Sequence, residues 1–141
     1  MDYNSNNIDQ SLLKAYNETL YSTFNPAYLI KIGQKNEDLS IFLFDNNAYT
    51  WAFVSASNPF SIKISSEENQ QRHQSLLDFT KNSGLRFLEG EGKHPDSDWS
   101  EKSLLILDIS KREAIKLARD FEQNAIVFGY FNRAAELVIC R

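Results

Sequence analysis

Apolar residues recur along the chain with helical spacing in some segments and with strand spacing in others. Between residues 8 and 24 they fall three or four positions apart, which predicts a first helix. Asn25-Pro26 ends that helix, because proline disfavours the helical conformation in the residue before it. Residues 39–44 are almost all apolar and are compatible with a strand or a helix. Leu39, Phe42 and Leu43 would share one helical face, so we interpret this segment as a second helix.

Two later helices have clear start signals. Ser65-Ser-Glu-Glu68 and Ser110-Lys-Arg-Glu113 both have the pattern of a capping box, in which a serine hydroxyl and a glutamate carboxylate satisfy free backbone N–H groups. The first of these helices is expected to end at Asn82-Ser83-Gly84, since glycine is a common stop signal. The second is expected to end at Asn124.

The remaining apolar segments are short and predict strands. Residues 51–55 give the clearest of them, because they are apolar nearly throughout and are therefore expected in the middle of a sheet. The other predicted strands are residues 27–32, 85–88, 103–107, 125–130 and 135–140, of which the last two form a hairpin. A polar loop is expected between residues 89 and 101.

This order of elements predicts a single α+β domain over residues 8–141, preceded by a disordered segment at residues 1–7. The sheet is expected to be mixed, with about five to six strands, because hairpins alternate with helical connections. About four helices are expected to pack mainly on one of its faces.

Composition and charge limit the classes of function. The net charge of −4 argues against a surface that binds nucleic acid through its phosphates. The single cysteine, Cys140, excludes an intramolecular disulfide and fits a reducing compartment. No apolar run approaches the roughly 18 residues that span a membrane, and no signal peptide is recognisable, so we expect a soluble, cytoplasmic protein.

Polar side chains gather at the corner between the central strand and the helix that begins at Ser66. Ligands often bind beyond a strand end, in the loop that leads to a helix. We predict a ligand site at this corner, with an anion held by the helix N-terminus and an arginine. Its residues would be Asn58, Ser61, Asn69 and Arg72. A rigid Asn-Pro turn and a solvated helix start would explain the same residues without a ligand.

The loop from residue 89 to residue 101 is the second candidate region. It contains five carboxylates, and their spacing matches no metal motif, so we predict no metal site. Glu91 and Glu101 are candidate catalytic acids or bases if the fold buries them in part. Trp99 is a candidate wall of the ligand site. A solvated acidic loop is the alternative.

The chain also resembles a bacterial family known as domain of unknown function 3293. The resemblance implies a compact cytoplasmic bacterial domain and supplies no activity. Ser57 differs from the family pattern, which more often has an aromatic residue at this position. The matching stretches are Tyr16-x-x-Thr19-x-Tyr21, Trp51-Ala-Phe-Val-Ser-Ala-Ser-Asn-Pro-Phe-Ser61, Glu67-Glu-Asn-x-x-Arg72, Gly90-Glu-Gly-x-x-Pro95, Trp99-Ser-Glu-x-Ser-Leu-Leu-Ile-Leu107, Gln123-Asn-Ala-Ile-Val-Phe-Gly129 and Ala135-Glu-Leu-Val138.

Two hypotheses about function follow. In the first, the corner binds or acts on a small anionic ligand, such as a nucleotide or a phosphorylated metabolite. In the second, the chain is a non-catalytic interaction or regulatory domain that binds a protein partner. Its surface would be the free edge of the terminal hairpin or the aromatic residues Phe60, Trp99, Tyr130 and Phe131. The sequence names no cofactor and leaves open whether the protein is an enzyme.

Overall fold

The computed structural model describes residues 9–96 and 98–141, which contain four α-helices and seven β-strands. The helices are α1 (Gln10–Glu18), α2 (Glu37–Asp45), α3 (Ser66–Asn82) and α4 (Lys111–Asp120), with a short 3-10 helix at Pro59–Ser61. The strands are β1 (Leu20–Thr23), β2 (Leu29–Ile30), β3 (Thr50–Ser55), β4 (Phe87–Lys93), β5 (Ser100–Leu107), β6 (Ala125–Tyr130) and β7 (Glu136–Ile139). The α+β class and the four helices are confirmed. The predicted disorder of residues 1–7 lies outside the described residues, and the single domain stays a prediction.

The seven strands form one sheet in the order β2-β1-β4-β5-β3-β6-β7, and each pair of neighbouring strands is antiparallel. The predicted mixed sheet of five to six strands is therefore wrong. Helix α3 connects β3 to β4, and α4 connects β5 to β6, so each helical connection passes over one strand. The two strands that each helix joins are parallel to one another, but an oppositely directed strand lies between them.

The sheet curls so that its two edges approach each other. Residue Ile32, just after β2, forms a parallel bridge with Ala135, just before β7. The N–H of Gly33 donates to the carbonyl of Ala135 at 2.7 Å, and the N–H of Ala135 donates to the carbonyl of Gln34 at 3.1 Å. These bonds give the curled sheet a concave face.

The first helix is shorter than the periodicity predicted. Helix α1 ends at Glu18, and residues 20–23 form strand β1 instead of a final helical turn. Tyr21 and Thr23 alternate with more exposed neighbours and are buried, which is the period of a strand. Pairing with β4 decides the outcome here, because four residues alone fit either period.

The capped helices form where the sequence indicates. In α3, the Ser65 hydroxyl accepts from the Glu68 N–H at 3.1 Å, and the Glu68 carboxylate accepts from the N–H of Ser65 at 3.4 Å. The capping box is therefore confirmed. In α4, Ser110 accepts from the N–H of Glu113 at 3.1 Å. Helix α2 is also confirmed, with Asn36 accepting from the N–H of Leu39.

The sheet buries both of its faces and has helices on each, so the prediction that the helices pack mainly on one face is wrong. Helices α3 and α4 cover one face, where Val54, Leu104 and Phe128 pack against Leu76 and Leu117. Helix α2 covers part of the concave face, and its buried residues pack with aromatic and aliphatic side chains of the central strands. These are Leu39 and Leu43 of the helix, with Trp51, Phe53, Leu105 and Leu107 of the sheet. No helix in the described ranges is long and apolar enough to cross a membrane.

The predicted polar loop at residues 89–101 is mostly strand, which corrects the sequence-based interpretation. Strand β4 continues to Lys93, and β5 begins at Ser100. Gly90 is required for this arrangement, because a Cβ atom at that position would lie 2.2 Å from the carbonyl oxygen of Ser22 on β1. The charged residues were misleading, because a strand with one solvated face accepts them at alternate positions.

Candidate functional site

A cavity of about 750 Å³ lies on the concave face of the sheet, beside the part that α2 covers. Its wall on the sheet side is apolar and includes Phe53, Val127 and Leu137. Helix α1 lines the opposite side with Leu12, Ala15 and Tyr16. No residue of α1 is fully buried, so the helix packs as a cover rather than as part of the core.

Glu101 places a carboxyl group within this wall. Strand alternation in β5 places it on the same face as Ser103 and Leu105, opposite Gly92 of β4. Burial raises the pKa of Glu101 to about 7, and hydrogen bonds from Asn58 and Ser55 act against that increase. A carboxyl group with this pKa exchanges its proton near neutral pH, as a general acid or base must.

Two asparagines fix the geometry around this carboxylate. The side-chain amide of Asn58 donates from Nδ2 to Oε2 of Glu101 at 2.9 Å. Its carbonyl oxygen, Oδ1, accepts from Nδ2 of Asn69 at 2.9 Å and from the N–H of Ile64 at 3.2 Å. The backbone N–H of Asn58 donates to Oδ1 of Asn69 at 2.8 Å. Because Oδ1 accepts two bonds, only the NH₂ group of Asn58 can face Glu101.

The backbone at this corner has an uncommon conformation. Asn58, Phe60 and Ser61 have φ angles of 49°, 53° and 64°, which lie in the left-handed region. Asparagine tolerates this region better than other residues with a side chain, whereas phenylalanine does not. Such backbone strain occurs preferentially at functional sites, where surrounding contacts hold it in place.

Ser61 joins the corner to helix α1. Its Oγ lies 3.0 Å from the hydroxyl of Tyr16 and accepts a bond of 3.0 Å from Nδ2 of Asn124. The hydroxyl of Tyr21 donates to the carbonyl of Tyr16 at 2.8 Å, which holds the end of the helix to β1. Burial raises the pKa of both tyrosines, so each keeps its proton at neutral pH.

The mouth of the cavity carries most of its charge. Lys63 and Asp98 line it and are exposed, and His94 lines it with Nε2 3.4 Å from a carboxylate oxygen of Glu18. Trp99, one of the residues predicted from the sequence, also lines the cavity and is partly exposed.

Arg72 lies outside the residues that line the cavity, although the sequence suggested it as the anion-binding group. Its Nε donates to the carbonyl of Ala56 at 2.6 Å, and NH2 donates to the carbonyl of Phe121 at 2.6 Å. Its third contact is an ion pair of 3.3 Å with Glu122. The guanidinium therefore holds the end of α4 against the segment that follows β3, with three of its five N–H donors used inside the protein.

Glu91 is also absent from the cavity wall, for a simple geometric reason. It pairs with Lys102 on β5, so its side chain extends to the face of the sheet that α3 covers. Gly90 and Gly92 occupy the alternate positions of β4, and Gly92 lines the cavity. Of the two carboxylates proposed as acid or base, the structure brings only Glu101 to Asn58.

Sequence reasoning missed several residues of the cavity wall, including Tyr16, Tyr21 and Lys63. One signal was present, because Ser55 and Ser103 occupy inward positions of strands that are otherwise apolar. These two serines are paired across β3 and β5, next to Glu101. Polar residues at paired inward positions indicate a cavity or a buried polar network.

Other groups offer less chemistry. Cys140 is buried, and burial raises the pKa of its thiol to about 11, which suits a structural residue and not a nucleophile. Within residues 9–96 and 98–141, no three His, Cys, Asp or Glu side chains are grouped so that they could hold a metal ion.

Comparison with known proteins gives one match. A family model described as protein of unknown function (DUF3293) matches residues 54–126, which is just over half of the chain. The matched part contains Asn58, Asn69 and Glu101, whereas α1 and β7 lie outside it. None of the curated proteins or solved structures used for comparison matches the chain.

Proposed function

We propose that this chain, which belongs to the DUF3293 family of proteins of unknown function, binds a small molecule in the cavity between α1 and the sheet. Glu101 would accept a hydrogen bond or a proton from that molecule. The observation that carries the proposal is a carboxylate held by Asn58 in the wall of a cavity of about 750 Å³. Cavities that bind small ligands have volumes of about 300–1,000 Å³.

The wall supports a ligand with an apolar body and a polar end. Phe53, Val127 and Leu137 supply the apolar surface, and Glu101 with Asn58 supplies the polar group. A few polar groups in a mostly apolar wall are typical of sites for small molecules, in which the polar groups fix orientation.

An anionic ligand, such as a nucleotide or a phosphorylated metabolite, fits this wall in one orientation. Its phosphate would lie at the mouth beside Lys63, because Arg72 is engaged elsewhere and Glu101 repels an anion in its charged form. Its uncharged part would then lie under α1. Glu101 would also be the acid or base if the ligand is converted, since its pKa of about 7 suits proton transfer near neutral pH.

A thermal-shift screen with nucleosides, nucleotides and phosphorylated metabolites tests the proposal. We expect a stabilising compound whose effect is lost in Ala15→Phe, because the ring occupies space in the cavity under α1. Lys14→Phe is the matched control, since it adds the same ring at an exposed position of the same helix. A compound that stabilises wild type and Ala15→Phe equally would contradict a site in this cavity.

We also propose a bacterial, cytoplasmic setting, which the family resemblance and the single buried cysteine support.

A protein partner is the second candidate, and one surface favours it. Ile41, Phe44 and Tyr49, around the end of α2, have 60%, 72% and 55% of their surface exposed. The ring of Phe44 contacts Phe131, one of the aromatic residues that the sequence suggested for such a surface. Clustered exposed apolar residues often mark interaction sites.

Sedimentation analysis tests the simplest form of this candidate, which is self-association. Phe44→Ser should shift an oligomer toward the monomer if the surface joins two copies. Phe24→Ser is the control, since Phe24 is also exposed but follows β1. Identical sedimentation of wild type and Phe44→Ser as monomers would remove this form of the candidate.

A further inference from the structure

Three side-chain amide groups that line the cavity near Glu101 donate hydrogen bonds within the protein. The NH₂ groups of Asn58 and Asn69 donate to Glu101 and to Asn58, respectively. Nε2 of Gln123 donates to the carbonyls of Ser57 and Phe121 at 3.0 and 3.1 Å. These bonds use both N–H donors of Gln123 and one of the two on each asparagine, so the three amide groups offer a ligand at most two donors.

The carboxylate of Glu101 can still accept hydrogen bonds from a ligand. An ionised carboxylate has about four lone-pair positions that accept hydrogen bonds. Asn58 uses one of them, and the side chain of Ser55 uses at most one more. At least two positions are therefore left for donors that a ligand brings. A polar group that enters a partly buried site without a partner costs free energy, so a ligand without a donor binds there at a disadvantage.

Charge points in the same direction. A carboxylate or phosphate of a ligand placed beside ionised Glu101 would face a like charge at short range, and one of the two would have to take up a proton. Lys63, which could neutralise such a group, is exposed and lies at the mouth. The wall on the sheet side includes Phe53, Val127 and Leu137, which suit a flat apolar ring.

We infer that the inner end of the ligand is an N–H donor on a flat apolar body, namely an amide, an amidine or an aminated heterocycle, bound to Glu101. The inference rests on the proposed function, because it concerns the same cavity. It adds the orientation of the ligand and the chemical class of its buried end.

Three nearly isosteric probes test the inference: benzamidine, benzamide and benzoate. Each carries the same ring, and the polar end changes from a cationic donor to a neutral donor to an anion. Each probe is titrated at pH 8 into ¹⁵N-labelled protein and followed by ¹H–¹⁵N correlation spectra, which report both the affinity of the probe and the residues near which it binds. We expect shifts at the amides of Phe53, Glu101 and Val127, with benzoate binding about tenfold more weakly than benzamidine.

Variants assign this preference to Glu101. Glu101→Gln keeps the shape of the side chain and removes its charge. It should therefore reduce the ratio of benzamidine affinity to benzoate affinity to about one. A well-dispersed spectrum of the variant verifies that it is folded. Glu91→Gln is the control, since it removes a carboxylate from the opposite face of the sheet, outside the cavity, and should leave the ratio of affinities unchanged.

The outcomes separate the inference from the proposed function. Equal or tighter binding of benzoate in the cavity would overturn the inference and leave the ligand site intact. A preference for benzamidine that persists in Glu101→Gln would overturn it as well. Absence of cavity shifts with all three probes at millimolar concentration, together with no hit in the broader screen, would overturn the proposed function and the inference with it.

Discussion

Replacing Glu101 with glutamine should make the stability of the protein less dependent on pH. Burial raises the pKa of Glu101 from an ordinary value of 4.5 to about 7. The folded state therefore binds this proton more tightly than the unfolded state does. As the pH rises from 4.5 to 7, the unfolded state loses the proton first, and the free energy of unfolding falls. Above pH 7 both states are ionised, and this group causes no further change.

The size of the effect follows from these two pKa values. A change of one pKa unit corresponds to about 1.4 kcal/mol, so Glu101 lowers the free energy of unfolding by about 2–3 kcal/mol between pH 5 and pH 8. Glutamine does not titrate, and its carbonyl oxygen can still accept from Asn58. Between pH 5 and pH 8 the unfolding free energy of the variant should therefore rise by about 2–3 kcal/mol relative to wild type, or roughly 8 °C in Tm.

Urea unfolding at pH 5, 6, 7 and 8, followed by tryptophan fluorescence, measures this difference. The slopes of unfolding free energy against urea should agree between variant and wild type, since the exposed surface is the same. Glu91→Gln is the matched control, because it removes a carboxylate from the adjacent strand on the opposite face. Parallel profiles of unfolding free energy against pH for wild type and Glu101→Gln would refute the argument that burial raises the pKa of this carboxyl group and destabilises the folded protein when the group is ionised.

Three further predictions concern the structure around the site. Gly129→Ala should destabilise the protein by about 2 kcal/mol in urea unfolding, because the new Cβ would lie 2.2 Å from the indole of buried Trp51. Gly92→Ala is its control and should cost far less, since its Cβ would meet nothing closer than 3.6 Å, and equal costs would contradict the packing argument. Asn58→Ala should lower the free energy of unfolding by about 3 kcal/mol, because it loses the side-chain bonds to Glu101 and Ile64 and places alanine at a φ of 49°. Asn58→Gly keeps the backbone freedom and should recover about 1 kcal/mol of this loss. Arg72→Ala should lower Tm without changing the affinity of any cavity ligand by more than about twofold, since its donors bind two backbone carbonyls; selective loss of ligand affinity would return Arg72 to the site.

Elements with local start or stop signals were predictable from the sequence. The capping box at Ser65 and the serine N-cap at Ser110 place α3 and α4, because the bonds that define them join residues three positions apart. Strand β1 was not predictable, since its four residues fit either period and only pairing with β4 decides. The extension of β4 through Gly90 was missed for the same reason, because it depends on close approach to Ser22.

In the candidate site, too, contacts between residues close in sequence were predictable, and contacts between distant residues were not. Asn58 and Asn69 lie eleven residues apart around one corner, and the sequence grouped them correctly in space. Two partners of Arg72 are backbone carbonyls, one of them 49 residues away, and no local pattern indicates such bonds. Whether Glu91 or Glu101 faces the corner depends on strand alternation and register, which were unknown while both residues were assigned to a loop.

Chemical-shift mapping of a screening hit on wild type and Ala15→Phe tests the central claim most directly. The account predicts shifts at the amides of Phe53, Glu101 and Val127 in wild type, and their loss in Ala15→Phe but not in Lys14→Phe. Shifts that persist in Ala15→Phe, or that cluster around Phe44 at the end of α2, would contradict a ligand site in the cavity.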